Sequence, residues 1–234
     1  MRANRHHHSL QGCPDATVIL VVMNKELFMK LELPTLVSRD PESLVDCIAY
    51  RRSYREFSEA ALSINALSLL LWSAQGITGQ DGKRATPSAG GLYPLHLRIL
   101  VQRVESLEPG VYDYTPDAHS LERVGGHVTE GVVRELGIGD QPWLEEAALV
   151  IGVTVELEAT IKHFESQPPN GERGVRYAYM EAGALTQNVH LQSTALGVGC
   201  VLVAGFDDSR AKKVLRLPSG LEPAALLCIG IRKK

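Results

Sequence analysis

The stretch Tyr50-Arg-Arg-Ser-Tyr-Arg-Glu-Phe57 gathers three guanidinium groups and a hydroxyl within five positions. Arg51, Arg52 and Arg55 offer forked hydrogen-bond donors and Ser53 adds a hydroxyl donor, a combination that can hold a phosphate. A basic cluster at the end of a helix can also be a solvated cap that complements the helix dipole. Taken alone, the segment leaves both interpretations open.

A second informative segment is Ala85-Thr-Pro-Ser-Ala-Gly-Gly-Leu-Tyr-Pro94. Its prolines restrict φ, while Gly90 and Gly91 allow the backbone to approach a ligand closely or to adopt positive φ. The segment lies between a predicted helix that ends at Gly76 and a predicted strand that begins near Leu95. Loops held by rigid elements often carry functional residues, although an ordinary turn has the same composition.

Helical and strand periods alternate along the rest of the chain and predict an α+β fold, with helices around a mostly antiparallel sheet. Asp40 and Pro41 predict the cap and first turn of one helix, Ser63 predicts the cap of a second, and Gly76 predicts a left-handed terminator. We expect helices at 40–51, 64–75 and 172–196 and after Asp207, and strands at 95–102, 110–115, 120–124, 147–155, 198–203 and 224–231.

Composition predicts a compact domain with an ordinary core. The 234 residues are 44% apolar and 22% charged, close to globular averages. The net charge of −3 argues against a general nucleic-acid binder. The cysteines are far apart and predict reduced thiols in a cytoplasmic protein, three of them in the core: Cys13, Cys47, Cys200 and Cys228.

The first thirty residues offer few signals. The apolar run Val18–Met23 is far shorter than the roughly 20 residues that a membrane-spanning helix needs, so no membrane association is expected. His6–His8 can be a metal-binding tract, but a flexible solvated terminus is the favoured interpretation. No structural metal site is predicted.

Together these segments resemble the FMN-dependent nitroreductase superfamily. In that family the first helix ends in an Arg-x-Ser-x-Lys/Arg motif, matched by Arg51–Arg55, and a later Pro-Ser loop under the isoalloxazine is matched by Pro87–Gly91. Tyr179–Gly199, with its Glu-Ala-Gly and Gln-Asn positions, is similar to the long core helix. Val203–Asp207 is similar to the segment whose backbone amide faces flavin N5. The residues of these motifs are most similar to the SagB-type branch, whose best-known members oxidise azolines to azoles in modified peptides.

The resemblance implies a nitroreductase-like fold built as an intimate homodimer, with FMN in each of two interface sites. It assigns residues 31–234 to the FMN-binding domain and leaves residues 1–30 as an N-terminal extension of unknown role. It also implies NAD(P)H as electron donor and a small molecule or a peptide as substrate. Mechanism in this family rests on hydride exchange at the cofactor rather than on a catalytic triad.

The same resemblance suggests a role for each cofactor-binding segment. Arg51, Arg52 and Ser53 are candidates for the phosphate, and Arg55 is a candidate for the pyrimidine side of the ring. The amide of Ala204 or Gly205, next to Val203, would face N5. The backbone that would line the ring edge belongs to Pro87, Ser88, Ala89, Gly90, Gly91 and Leu92.

Two features depart from the family pattern. Gly91 stands where many nitroreductases have an asparagine that contacts the flavin. The chain ends soon after Ile231, whereas longer members continue to a Lys/Arg pair near the phosphate. Arg232 or Lys233 can replace that pair, and a solubilising basic tail is an equally good interpretation.

Several residues of the long helix are candidates for the site or for its support. Arg176 and Tyr177 are candidate catalytic residues that would face the substrate, with Tyr177 either a proton donor or an interfacial packing residue. We expect Glu181 to be a buried charge paired with an arginine. Gln187 and Asn188 are expected to bond backbone in the core. His96 and His190 are expected to be satisfied by neighbouring groups rather than to bind a ligand.

Three functions remain open on the sequence. The first is an FMN-dependent oxidoreductase that transfers hydride through flavin N5 between NAD(P)H and a small organic acceptor. The second is a SagB-type dehydrogenase that oxidises peptide azolines to azoles. The third is a flavin-binding module without turnover.

Overall fold

A computed structural model describes residues 6–8, 17–23, 26–34 and 43–233 of the chain. Within these residues one nine-stranded sheet forms, and all pairings between its strands are antiparallel. The strands are β1 His6–His8, β2 Thr17–Met23, β3 Glu26–Glu32, β4 Leu95–Val101, β5 Gly110–Thr115, β6 Ser120–Gly125, β7 Leu149–Val155, β8 Gly199–Val203 and β9 Glu222–Gly230. Their spatial order is β1-β2-β3-β6-β5-β4-β7-β9-β8.

Helices cover both faces of the sheet, which confirms the predicted α+β class. They are α1 Leu44–Tyr50, α2 Ile64–Gln75, α3 Trp143–Glu146, α4 Leu157–His163, α5 Glu172–Ala195 and α6 Asp208–Val214, with short 3-10 turns at Ala89–Gly91 and Arg134–Leu136. On one face a core forms between the sheet, α2 and α5, and Leu67, Leu71 and Leu185 are buried there. On the other face Leu144 and Leu215 are buried in a second core beside α3 and α6.

Most predicted elements are confirmed within a few residues, and the largest difference is at the first helix. This helix begins at Leu44 rather than near residue 40, and Ser43 caps it by accepting a hydrogen bond from the Asp46 amide. Asp40 and Pro41 lie outside the described residues. The serine supplies the hydroxyl acceptor that the first turn needs.

The prediction that Gly76 ends α2 in a left-handed conformation is wrong. Its backbone is extended, with φ −65° and ψ 152°. A Cβ on Gly76 would lie only 2.2 Å from Cδ1 of Trp72. Glycine is therefore required here by the indole packed against it rather than by positive φ.

The N-terminal strands extend the sheet at one edge. The apolar run Val18–Met23 lies in β2, which pairs along its whole length with β3, and β3 continues the ladder onto β6. The histidines 6–8 form β1. Because β3 spans residues 26–32, it crosses the predicted boundary between extension and domain; the division of the chain at that point stays a prediction.

Among the described helices, none combines the length and the apolar character that a membrane crossing needs. Cys47, Cys200 and Cys228 are buried, as predicted, and Cys13 lies outside the described residues.

Candidate functional site

The arginine-rich turn after α1 is pinned along the edge of the sheet. The Tyr54 amide donates to the Cys200 carbonyl of β8 at 3.0 Å, and the Ser58 amide donates to the Ile231 carbonyl at 2.9 Å. Phe57 is buried and forms a bridge with Arg232. These contacts hold the turn in an extended path that leaves Ser53 exposed.

Arg51 is half-buried, and its guanidinium has no carboxylate or carbonyl partner among the described residues. Its charge acts on the side chains around it. Burial, together with the Arg51 charge, lowers the pKa of His190 to about 4. Burial raises the pKa of Cys200 to about 12, with the Ser193 hydroxyl and Arg51 acting in the opposite direction. An uncompensated guanidinium in such surroundings favours an anion.

The other two arginines of the turn point elsewhere. Nη1 of Arg52 donates to the carbonyls of Ala49 at 2.9 Å and Arg51 at 2.8 Å, and so closes the C-terminal end of α1. The Arg55 guanidinium lies over the Trp143 ring, 5.4 Å from its centroid. The local sequence grouped these guanidinium groups, but the fold separates them.

The C-terminal residues return to the same turn. The Arg232 guanidinium stacks 4.1 Å above the Tyr54 ring and its Nε donates to the Val198 carbonyl at 3.2 Å. The Lys233 amide donates to the Glu56 carbonyl at 3.1 Å. Arg232 and Lys233 are therefore held against the arginine-rich turn.

The double-glycine loop, residues 85–94, adopts a conformation that few sequences tolerate. Gly90 and Gly91 have φ of 62° and 68°, and the non-glycine Tyr93 has φ of 52°. The loop is tied to α2 by Thr86, whose Oγ1 donates to the Ala74 carbonyl at 2.7 Å. Asn188 of α5 donates to the Ala85 carbonyl at 3.2 Å, which confirms its predicted bond to backbone.

Glu181 holds the centre of this loop. Its Oε1 accepts from the Ser88 hydroxyl at 3.0 Å and from the Ala89 amide at 2.7 Å. The prediction that Glu181 pairs with an arginine is wrong, because its hydrogen-bond donors are neutral groups of the loop. Burial raises the pKa of Glu181, and the bonds from Ala89 and Ser88 oppose that rise.

Two further expectations about polar residues are corrected. Gln187 lies exposed on α5 rather than in the core. His96 is satisfied as predicted, with Nε2 2.9 Å from Glu156 Oε1, whereas Nδ1 of buried His190 has no hydrogen-bond partner among the described residues. Gln187 points outward because the buried side of α5 is already occupied by its apolar residues and Glu181.

The segment after β8 presents its backbone to solvent. Ala204 and Gly205 are exposed, and the described residues contain no acceptor for the Gly205 amide. The Gly205 carbonyl accepts from the Ile138 amide at 2.9 Å and from Gln141 Nε2 at 2.7 Å. Sequence reasoning missed Gln141, since no local motif links it to Gly205.

The corner between α4 and α5 borders the double-glycine loop. Phe164 packs edge-on against Tyr177, with ring centroids 4.9 Å apart, and a Cβ on Gly90 would lie 3.7 Å from Phe164 Cζ. The Tyr177 hydroxyl donates to Gln167 Oε1 at 2.9 Å, while Arg176 is exposed. Of the two candidate catalytic residues, Tyr177 thus lies near the loop and is restrained, whereas Arg176 is open to solvent.

The two predicted cofactor segments both lie against helix α5. The loop contacts it through Glu181 and Asn188, and Arg51 acts on His190 at the next half-turn. Within the described residues no group of three or more His, Cys, Asp or Glu side chains is placed to hold a metal ion.

Comparison with known proteins identifies the family of this chain. The model of the Nitroreductase family matches residues 48–231, a range that contains the arginine-rich turn, the double-glycine loop and the segment after β8. The chain belongs to the nitroreductase family. It is therefore a flavin-type oxidoreductase, and the nitroreductase fold expected from the sequence is confirmed.

Three relatives illustrate the likeness. The chain is 34% identical to MJ1384, a candidate nitroreductase of Methanocaldococcus jannaschii, over 86% of this chain and 96% of that protein. A candidate nitroreductase structure from Anabaena variabilis has a TM-score of 0.75 and 26% identity; the match covers 88% of this chain but only 42% of that one. A chain of the Escherichia coli microcin synthetase McbBCD complex, with truncated pro-MccB17 bound, matches with a TM-score of 0.65 and 26% identity. The match covers 86% of this chain and 77% of the matched chain.

The residues present fit the flavin that members of this family generally use. Arg51 offers a positive charge without a carboxylate partner in the described part of the chain, and Gly205 offers an open amide. Gly91 has positive φ, and a Cβ there would meet nothing within 4 Å. Space and donors are therefore available where a mononucleotide needs them.

Proposed function

We propose that this protein is an FMN-dependent oxidoreductase that transfers hydride between NAD(P)H and a small organic acceptor. The observation that carries the proposal is the half-buried, uncompensated guanidinium of Arg51 at the end of α1. A phosphate carries about −1.5 to −2 charges at neutral pH and accepts paired hydrogen bonds from a guanidinium, so a guanidinium that no carboxylate neutralises favours it. FMN supplies the hydride-accepting and hydride-donating chemistry when bound.

The phosphate contacts follow from the side chains around the turn. Arg51 and Ser53 would bind the phosphate directly, and Arg232 would approach it from the Tyr54 face. Arg52 would join them by leaving the end of α1, which it now closes through carbonyl hydrogen bonds. Lys233 would add charge at the rim.

The ring contacts belong to backbone. The loop Pro87–Leu92 would line the ring edge, and the Gly205 or Ala204 amide would donate toward N5. Arg55 would reach the pyrimidine side only after leaving the Trp143 ring, so its contribution is the most dependent on rearrangement. The bonds from Ile138 and Gln141 to the Gly205 carbonyl anchor the next peptide along the chain, and so restrict in advance the backbone that carries the Gly205 amide.

Tyr177 is the proton donor of the proposed site. It borders the loop, and its hydroxyl donates to Gln167, so its proton is directed away from the loop until that bond breaks. A substrate that displaces Gln167 would receive the hydroxyl hydrogen bond in its place. Arg176, exposed one residue earlier, would attract anionic groups of the substrate or of the nicotinamide cofactor.

A second copy of the chain would complete the site. Leu44, Val45 and Ile48 of α1 are 64%, 74% and 57% exposed, and Met180 of α5 is 65% exposed. Apolar side chains concentrated on two neighbouring helices are typical of an interface between subunits. We place the partner subunit on these two helices.

The likeness to the McbBCD structure favours an alternative, the SagB-type oxidation of peptide azolines to azoles. That structure is of a complex with truncated pro-MccB17 bound. Here the reaction would use the same flavin site, with the peptide as hydride donor. Azoline substrates, partner proteins and an electron acceptor that reoxidises the reduced flavin would then be required, and NAD(P)H would not.

The visible absorbance of the purified protein, before and after addition of NADH or NADPH without oxygen, tests these proposals. We expect a yellow protein, and we expect Arg51→Ala to weaken FMN binding at least tenfold, or about 1.4 kcal/mol. Lys213→Ala, an exposed charge on α6, is the matched control and should bind FMN normally.

Each outcome separates the alternatives. Bleaching by a nicotinamide supports the leading proposal. A bound flavin that neither nicotinamide reduces favours the azoline dehydrogenase. A colourless protein that does not bind added FMN removes both.

A further inference from the structure

We infer that Glu181 is a positioning residue for the flavin: its carboxylate holds the double-glycine loop in its binding conformation and lowers the reduction potential of the bound cofactor. This inference rests on the proposed function. It concerns a residue that the sequence alone predicted to be a buried, paired charge of the long helix. Glu181 contacts the loop and acts through it.

The contacts single out one oxygen atom. Oε1 of Glu181 accepts both from the Ser88 hydroxyl and from the Ala89 amide, although these residues are 93 and 92 positions away in the sequence. The Ser88 oxygen accepts in turn from the Tyr93 amide at 2.8 Å. A continuous chain of bonds therefore runs from α5 to both sides of the two glycines.

The loop needs this support because its backbone conformation is unfavourable. Gly90, Gly91 and Tyr93 all have positive φ, and a tyrosine in that region is disfavoured. Such a conformation persists only when surrounding groups determine it. Thr86 and Asn188 fix the start of the loop, and Glu181 provides the hydrogen bonds from α5 to the loop's centre.

The type of side chain adds an electrostatic effect. Glu181 is only 7% exposed, and it makes no ion pair with any of the described residues. A carboxylate accepting two hydrogen bonds retains its negative charge more readily than an unbonded one. Negative charge behind the loop opposes the negative charge that a flavin gains on reduction, so it lowers the reduction potential.

Two substitutions separate these effects. Glu181→Gln keeps an oxygen acceptor for Ser88 and Ala89 but removes the charge, so we expect FMN affinity within about threefold of the wild type and a higher midpoint potential. Glu181→Ala removes the acceptor too, so we expect FMN affinity to fall at least about tenfold. Glu172→Gln, an exposed glutamate in the first turn of the same helix, should change neither quantity.

A measurement without flavin checks the loop itself. Hydrogen exchange of the Ala89 amide in the apoprotein should accelerate in Glu181→Ala and stay slow in Glu181→Gln. If Glu181→Ala does not fold, Ser88→Ala replaces it, because it removes one bond to Glu181 and leaves α5 unchanged. We expect Ser88→Ala to weaken FMN binding and to alter the circular dichroism of the bound flavin.

An unchanged midpoint potential in Glu181→Gln overturns the electrostatic part of the inference. Unchanged Ala89 exchange and FMN affinity in Glu181→Ala overturn the positioning part, as do unchanged FMN affinity and flavin circular dichroism in Ser88→Ala where that variant stands in. In both cases a wild-type protein that binds FMN leaves the proposed function intact. A wild-type protein that binds no FMN overturns the proposed function and this inference with it.

Discussion

The Gln141 side-chain amide donates to the Gly205 carbonyl at 2.7 Å across a sequence separation of 64 residues. The same Nε2 also donates to the Ile138 carbonyl at 3.0 Å, so Gln141 joins the chain before α3 to the segment after β8. The peptide that follows Gly205 is thereby anchored, next to the peptide that carries the open Gly205 amide. Preorganised backbone donors of this kind are effective because they need no reorganisation when charge develops.

Gln141→Ala should therefore slow flavin reduction by NAD(P)H by about tenfold while leaving FMN affinity nearly unchanged, since the phosphate contacts are elsewhere. Rapid-mixing absorbance measures the rate and fluorescence titration measures the affinity. Gln80→Ala, an exposed glutamine before the double-glycine loop, is the control. Equal reduction rates in Gln141→Ala and wild type would show that the Gly205 peptide needs no such support.

Tyr177→Phe tests the proposed proton donor. The variant keeps the ring that packs on Phe164 and loses only the hydroxyl, so we expect kcat to fall by about 100-fold with little change in FMN affinity. Steady-state kinetics over a range of pH provides the measurement. Tyr179→Phe, which changes an exposed tyrosine two positions away, should behave like wild type. A Tyr177→Phe enzyme with wild-type kcat would leave Tyr177 a packing residue.

Ile48→Asp should weaken self-association. It places a charge among the exposed apolar side chains of α1, where a second copy is proposed to pack. Light scattering coupled to size exclusion should show a dimer for the wild type and monomer for the variant, with looser FMN binding if the flavin lies at the interface. Val124→Asp, at an exposed position on β6, serves as comparison. A wild-type protein that is monomeric at all concentrations contradicts the placement.

Stability should fall in mild acid because of His190. Its pKa is lowered from 6.5 to about 4 in the folded protein, so the unfolded chain binds the proton more tightly. The stabilisation is complete above 6.5 and is lost as pH falls toward 4. A loss of about 2 kcal/mol is expected from about pH 7 to about pH 5, and urea unfolding at both values measures it.

His190→Gln should lose most of this pH dependence, whereas His96→Gln, at a histidine whose side chain is 43% exposed, should retain it. The partly buried His119, whose pKa is also lowered by burial, will add a smaller contribution of the same sign. Identical pH dependence in His190→Gln and wild type would exclude His190 as the cause.

Local sequence was sufficient to predict most of the fold. Helix α5 was predicted at 172–196 and is observed at Glu172–Ala195, and Ser63 caps α2 as expected. The alternating run that begins at Leu95 is β4. These elements depend on the periodic placement of apolar side chains and on caps within one turn, and both are written in neighbouring residues.

The partners of polar side chains could not be predicted in this way. Glu181 was expected to pair with an arginine but accepts hydrogen bonds from Ser88 and Ala89. The Arg55 guanidinium lies over the Trp143 ring rather than beside Arg51 and Arg52. Glycine is required at position 76 because the indole of Trp72 leaves no room for a side chain, and not because of a positive φ. Each outcome depends on how distant segments are packed, which no local spacing records.

The sequence by itself therefore determined the order of most elements and the family, and it predicted the segments that are proposed to hold a flavin. Only the tertiary structure decided which atoms of those segments are open and which are occupied: Arg51 and the Gly205 amide are open, and Arg52 is engaged at the end of α1. The physical reason is that helix and strand periods arise from neighbours a few residues apart. Hydrogen bonds and burial, in contrast, join groups that come together only when the whole sheet and its helices have packed.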